Sequence, residues 1–320
     1  MLLVNWKKEG NTKDLKFWYK FIIYIAIFNV AYSLLQVYTD YDFVVRTSLK
    51  MTASGFCGHN NFFGSLVVTA LSLVSCKFLC FKERTIKNLL VIIFLIIGLI
   101  NSQSSGPVLA YIITMIFMII LLIIKKSLSL KHFTILVVIP MFILSSIVLV
   151  NKFVFKSEVC ELCDVKANVI DNEGNNRLSI WKRTFWVVEE NPIIGVGYDN
   201  LAYVYPNPYQ NVKVEPSGIT ITNRKPNQKY YLVDNAHNVY LQTLVSSGIF
   251  GLLQYLMLCI LTFVKGIRSN KKIIFTLISG FIAYSIQASF NINVISVTPI
   301  YYLIIGLILS DKKILDESKE

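Results

Sequence analysis

Residues 234–264, DNAHNVYLQTLVSSGIFGLLQYLMLCILTFV, decide how the rest of the chain is read. They pass from polar sequence into an apolar run as long as a bilayer is thick, so they predict a membrane helix with a titratable group at its start. Asp234 or Asn235 is placed to cap that helix by accepting hydrogen bonds from its free backbone N–H groups. His237 then falls in the first helical turn. There the positive end of the helix dipole disfavours imidazolium and leaves a neutral ring able to accept a proton near neutral pH, which is what a general base requires. Gly248 and Gly251 lie one turn apart and, at ~1.5 Å per residue, roughly 16 Å farther along, where small residues let a neighbouring helix approach closely. In this reading the glycines position the histidine.

Composition agrees with a membrane setting. Of 320 residues, 54% are hydrophobic and only 16% charged, and the mean hydropathy is +0.57, far too apolar for a soluble chain of this length. The first apolar stretch follows a polar lead without a small-residue cleavage site, so it reads as a retained helix and not as a cleaved signal. A net charge of +12 would fit a nucleic-acid partner in a soluble protein. Here the surplus sits in short connections on one side of the membrane, as the positive-inside rule demands, and no nucleic acid is implied.

The predicted class is an all-α polytopic membrane protein. About eight transmembrane helices are expected, near 17–38, 61–81, 86–103, 106–124, 132–153, 238–264, 273–290 and 294–310. Lys7, Lys8, Lys13, Lys16 and Lys20 precede the first, and Lys77, Lys82, Arg84 and Lys87 surround the second connection. Lys125, Lys126 and Lys131 follow the fourth helix; Lys265, Arg268, Lys271 and Lys272 follow the sixth; Lys312 and Lys313 follow the eighth. Every second connection is basic, which places both termini in the cytoplasm and the alternate loops outside a plasma membrane. The chain divides into N-terminal membrane helices (1–153), a large extracytoplasmic loop (154–237) and C-terminal membrane helices (238–320), forming one integral unit.

From Lys156 to Asp234 the loop holds nine basic and ten acidic residues, so it is no polybasic lipid anchor. A connection of this length is functional more often than not, and it is where a polar substrate would be handled. Cys160 and Cys163 form a C-x-x-C that is open to three readings: a disulfide, half a metal site, or free thiols. Cys57, also outward, could compete as a partner. Cys76, Cys80 and Cys259 lie in helices as small hydrophobes.

Within the loop, residues 176–197, NRLSIWKRTFWVVEENPIIGVG, predict a short helix stopped at Asn191-Pro192. At ~100° per residue Arg177 lines up with Trp181, Thr184 and Val188, flanked by Ile180 and Phe185, while Lys182, Arg183, Glu189 and Glu190 point elsewhere. An apolar, tryptophan-bearing stripe predicts a helix lying at the membrane interface with Arg177 at headgroup level. A planar guanidinium there suits a diphosphate; equally it could pair with lipid phosphate or an acidic neighbour. Gly195-Val-Gly197 is too short for a nucleotide-binding fingerprint and reads as a tight turn. Asp40 and Asp42, after the first helix, could hold a divalent ion for metal-dependent sugar transfer, but solvated acids in an aromatic belt with Tyr38 and Tyr41 account for them. His59 and His132 have similarly plain environments.

His237-Asn238 followed by Gly248 and Gly251 is similar to the signature of the O-antigen ligase and Wzy polymerase superfamily. Arg177 and Trp181 with Asn191-Pro192-Ile193-Ile194-Gly195-Val196-Gly197 resemble the segment that precedes this histidine in the family. The stretch from Ser54 to Gly64, SGFCGHNNFFG, resembles its upstream glycine and asparagine motif. The resemblance spans about residues 50–260. Two departures stand out: family members usually have more membrane helices, and they often carry an arginine where this chain reads Ser104-Ser105-Gly106, so Arg46, Lys50 or Arg224 would have to supply that cation.

The resemblance implies a glycosyltransferase that needs no cofactor, nucleotide sugar or metal. Its donor would be an undecaprenyl-diphosphate-linked glycan, its acceptor a glycan or lipid-glycan hydroxyl, and its setting the bilayer, with a chain-length regulator as a further partner. His237 would act as base, Arg177 and Arg183 would bind the diphosphate, and Asn238, Gly195, Gly197, Gly248 and Gly251 would support them. Competing readings are a metal-dependent membrane glycosyltransferase using Asp40 and Asp42, and a transporter of lipid-linked sugar. A transporter should carry ionisable residues within its spans or a repeated half, and neither is evident. A Lys, Asn and Ile bias tilts the reading toward a polymerase of surface polysaccharide over a ligase.

Overall fold

Long apolar runs cannot leave backbone groups unpaired in lipid, so each closes its own hydrogen bonds as a helix. The computed structural model describes residues 12–39, 52–80, 85–124, 173–205, 212–215, 218–221 and 233–310. In chain order these form α1 (Thr12–Tyr38), a 3₁₀ turn (Gly55–Cys57), α2 (Asn60–Cys80), α3 (Ile86–Ser102) and α4 (Ser105–Ile124). Then come α5 (Glu173–Glu190), α6 (Leu201–Val204), strands β1 (Val212–Glu215) and β2 (Gly218–Ile221), α7 (Val239–Arg268), α8 (Lys272–Ala288) and α9 (Thr298–Leu309). Helices therefore occupy seven of the eight predicted apolar runs, and the run at 132–153 lies outside the described residues. Four of them, α1, α2, α4 and α7, are long and apolar enough to cross a membrane, whereas α3, α8 and α9 are apolar but shorter.

Local chemistry sets several of the ends. Thr85 caps α3 by accepting from the Asn88 amide, and Gln103 closes it in the left-handed region at φ +48° with its N–H on the Ile100 carbonyl. The last helix starts later than predicted. Pro299 sits in its first turn and the Thr298 hydroxyl accepts from the Val294 amide at 2.9 Å, so residues 294–297 form a lead-in turn.

The described residues fall into two compact units. The first comprises α1–α4, the end of α7, α8 and α9. Within it α2 packs against α1, α3 and α4, and 83% of its most apolar window is buried in protein. That burial explains its composition: Ser65, Thr69, Ser72 and Ser75 are all buried and let neighbours come close. The Ser65 and Thr69 hydroxyls bond back to carbonyls one turn earlier, while Ser75 meets the Tyr111 hydroxyl at 2.9 Å. Such a bond between helices stabilises a membrane bundle by roughly 1 kcal/mol. Where α1 meets α3, a Cβ on Gly98 would lie 2.3 Å from Val30 Cγ2, so no larger residue fits that approach.

The second unit contains α5, α6, the hairpin and α7 as far as Ile260. Its core is Val187, Leu201, Ala236, Leu241 and Val245, with Trp181, Val188, Val196, Tyr205 and Leu244 around them. The large loop thus has a fold of its own. Beside its helices it holds one short hairpin, which leaves the chain predominantly helical as expected: β1 and β2 pair antiparallel, Val212 opposite Ile221 and Glu215 opposite Gly218. VKVE alternates valine with charged residues and GITI ends in three β-branched residues, both of which strands favour.

Candidate functional site

His237 does not lie in the first helical turn. The helix begins at Val239, and its cap is Asn238, whose Oδ1 accepts from the Tyr240 and Leu241 amides at 3.0 and 3.1 Å. Neither Asp234 nor Asn235 caps it, because His237 adopts φ +50° and no helix runs through that conformation. Asn235 instead closes the turn before the helix, with its Oδ1 accepting from the His237 amide at 3.3 Å. His237 thus stands just outside the helix N-terminus, partly exposed.

Holding a non-glycine residue in the left-handed region costs about 1–2 kcal/mol, and the neighbouring residue shows what offsets it. Ala236 is fully buried and clamped from two sides. Its carbonyl accepts from Trp181 Nε1 of α5 at 2.9 Å, and its amide donates to Gln242 Oε1 of α7 at 2.8 Å. Gln242 is itself steadied, Nε2 donating to Ser246 Oγ at 3.1 Å. The histidine is therefore aimed by a backbone that two helices hold in common. Gln242 and the indole N–H are contributors that sequence patterns do not single out, since neither stands apart from ordinary helix residues.

The glycines do something other than admit a neighbouring helix. At Gly248 (φ +64°, ψ −167°) α7 is broken, a conformation open essentially to glycine alone. Residues 191–197 dock on the break. The Val196 and Gly197 amides donate to the carbonyls of Val245 and Ser246 at 2.9 and 3.0 Å, and the Ile249 amide donates to the Pro192 carbonyl at 2.9 Å. Two carbonyls and one amide that the break sets free are thereby paired with the loop. A Cβ on Gly248 would lie 2.0 Å from the Ile193 carbonyl oxygen, and one on Gly195 2.6 Å from that of Val245. Gly251 follows from the same break, since its Cβ would meet Ser247 Cβ at 2.2 Å. Asn191-Pro192 ends α5 as predicted, and Gly195 and Gly197 (φ +75° and +92°) make the tight turn expected of them.

On α5 the stripe of Arg177, Trp181, Thr184 and Val188 does face inward, but what it meets is protein. Thr184 and Val187 are buried, and Trp181 and Val188 pack on the core of the unit. The predicted interfacial seating on this stripe is thus corrected. Phe185, expected beside the stripe, is exposed instead, as are Leu178 and Trp186, with Lys182 Nζ 5.8 Å from the Trp186 ring. Arg177 lies one turn before the tryptophan that reaches the turn of His237. Arg183 lies toward Tyr205: burial pushes that phenol above its ordinary value, and the guanidinium pulls it part of the way back.

The Ser54–Gly64 stretch belongs to the first unit, where two buried amides of α1 hold it. Gln36 Oε1 accepts from the Ser54 and Gly55 amides at 3.1 and 2.8 Å, and Asn29 Oδ1 accepts from the Phe56 amide at 2.9 Å. Their place in an apolar span was the available signal. His59 Nδ1 accepts from the Asn61 amide, and Asn61 Oδ1 in turn accepts from the Ser104 hydroxyl. Ser105 opens α4 and is exposed. Cys57 is a free thiol that burial pushes up to about 12, a hydrogen bond with Ser296 working the other way. Asp40, Asp42, Arg46, Lys50, His132, Cys160, Cys163 and Arg224 lie outside the described residues.

The profile of the O-antigen ligase family matches residues 89–256, more than half of the chain, running from α3 through the loop and across the break in α7. The chain belongs to the O-antigen ligase family. Membership makes it a membrane enzyme of the O-antigen ligase or polymerase type, with lipid-linked glycans as the family's substrates. The matched region contains the histidine turn, α5 and both docking glycines; the Ser54–Gly64 stretch precedes it. Comparison with curated proteins returns no match.

Proposed function

We propose that this O-antigen ligase family member transfers a glycan from an undecaprenyl diphosphate carrier to a sugar hydroxyl at the outer face of the plasma membrane, and that it is a polymerase of surface polysaccharide. The observation that carries this reading is His237, partly exposed and aimed by the clamp on Ala236, in a chain of this family. Its imidazole takes the proton as the acceptor oxygen attacks the anomeric carbon. The bond from that carbon to the diphosphate oxygen breaks, and the diphosphate leaves. A single displacement of this kind inverts the anomeric centre. Arg177, on the inward stripe one turn from Trp181, stabilises the charge on the leaving group, with Arg183 a second cation on the same helix. No metal takes part. Both termini are cytoplasmic in this reading, and about eight helices cross the membrane.

The test is the lipid-linked product pool of a deletion strain. Accumulation of single repeat units shows that polymerisation was lost. Accumulation of long chains not joined to their final acceptor would show a ligase instead.

A further inference from the structure

The loop that docks on the break in α7 ends in two apolar residues, Ile193 and Ile194, which are 58% and 80% exposed. In water this would be an unfavourable place for consecutive isoleucines. Their depth is set by α7. The loop is hydrogen-bonded to that helix at Val245, Ser246 and Ile249, so it lies at the level of Gly248 and cannot lift away without unpairing the break. Gly248 is seventeen residues before Lys265 in the basic last turn of α7, or about 25 Å along a helix, which falls inside a hydrocarbon layer of roughly 30 Å. The most apolar window of α7 is only 17% buried in protein, and its residues flanking the break, Ile249, Phe250 and Leu253, are exposed as well.

From this continuity we infer that Pro192–Gly197 is a membrane-inserted segment of the outward loop, its Ile193–Ile194 tip seated among the acyl chains of the bilayer. Non-helical backbone is tolerated at such depth only where its polar groups are paired. On either side of the tip this holds: Val196 and Gly197 donate to α7, Gly195 donates to the Asn191 carbonyl, Pro192 has no N–H, and its carbonyl accepts from Ile249, which leaves only the Ile193 and Ile194 amides at the tip itself to be placed. A lipid-seated tip also ties the depth of the His237 turn to the membrane, because the same stretch of α7 carries both. This inference rests on α7 spanning a bilayer and not on the reaction assigned to His237.

The experiment places nitroxides on Ile193→Cys and Ile194→Cys, singly, in a full-length chain whose native cysteines are replaced, reconstituted in phosphatidylcholine vesicles. Phe250→Cys serves as the hydrocarbon reference and Asp234→Cys as the water reference. The ratio of oxygen to nickel-chelate accessibility should match that of Phe250 and stand several-fold above that of Asp234. A ratio like that of Asp234 would place the loop in water and overturn the inference. Shielding from both reagents would do the same by showing a protein cover. Should the cysteine-free chain not fold, a benzoylphenylalanine photoprobe at Ile194 in the native-thiol chain decides the matter. Phospholipid adducts support the inference, and their absence, or adducts to protein alone, overturns it.

Discussion

His237 joins two demands in one residue: the side chain proposed for proton transfer and a backbone at φ +50°. Asparagine tolerates that conformation better than other non-glycine residues, so His237→Asn separates the two. We expect normal abundance and a loss of transfer of roughly 10² to 10⁴-fold, the usual cost of removing a general base. A general base works through its neutral ring, so under the proposed role the rate of purified enzyme on lipid-linked repeat units should fall as acid protonates the imidazole. Activity should persist in excess chelator; rescue of a chelated enzyme by magnesium would favour Asp40 and Asp42. For the arginines, Arg177→Lys keeps the charge but loses the planar fork and should cost roughly ten-fold or more, since bonds to charged groups contribute about 1.5–3 kcal/mol. A smaller loss is expected for Arg183→Ala. Equal tolerance of both would show that the diphosphate is held elsewhere.

At the scale of elements, the docked loop and the broken helix stand or fall together. Gly248→Ala forces a Cβ to 2.0 Å from a carbonyl oxygen in a glycine-only conformation, and should destabilise by roughly 3 kcal/mol or more. Gly58 is a useful contrast, because it also has positive φ (+78°) but a Cβ there meets nothing within 4 Å. Gly58→Ala should cost only about 1 kcal/mol of backbone strain. Thermal melts of the two variants by gel filtration test this; equal midpoints would contradict the docking. Trp181→Phe removes the bond to the Ala236 carbonyl while keeping most of the packing, so transfer should fall with little change in abundance.

The whole molecule poses the question of sidedness. With native thiols removed, cysteines at Ser157 and Ser217 should react with a membrane-impermeant maleimide in intact cells, and one at Ser127 only after lysis. Labelling at Ser127 in intact cells would reverse the orientation and the proposed outer site with it. In the native chain, Cys57 should remain slow toward maleimide from neutral pH to pH 9. A thiol raised to about 12 supplies little thiolate across that range, where an ordinary cysteine ionises.

Hydropathy and periodicity are local properties, and what depended on them alone was legible from the chain. Among the described residues the apolar runs became helices at all seven expected places, Asn191-Pro192 ended α5, and the stripe from Arg177 to Val188 turned inward. Only the tertiary structure decided what that stripe meets, because a face suited to a lipid surface is equally suited to a protein core. The break at Gly248 was invisible for a related reason. Glycine in an apolar run reads alike whether the helix is straight or broken, and the choice depends on hydrogen-bond partners some fifty residues away, at Pro192, Val196 and Gly197. The cap moved to Asn238 because Trp181 and Gln242 hold Ala236 in a turn that no stretch of adjacent residues specifies.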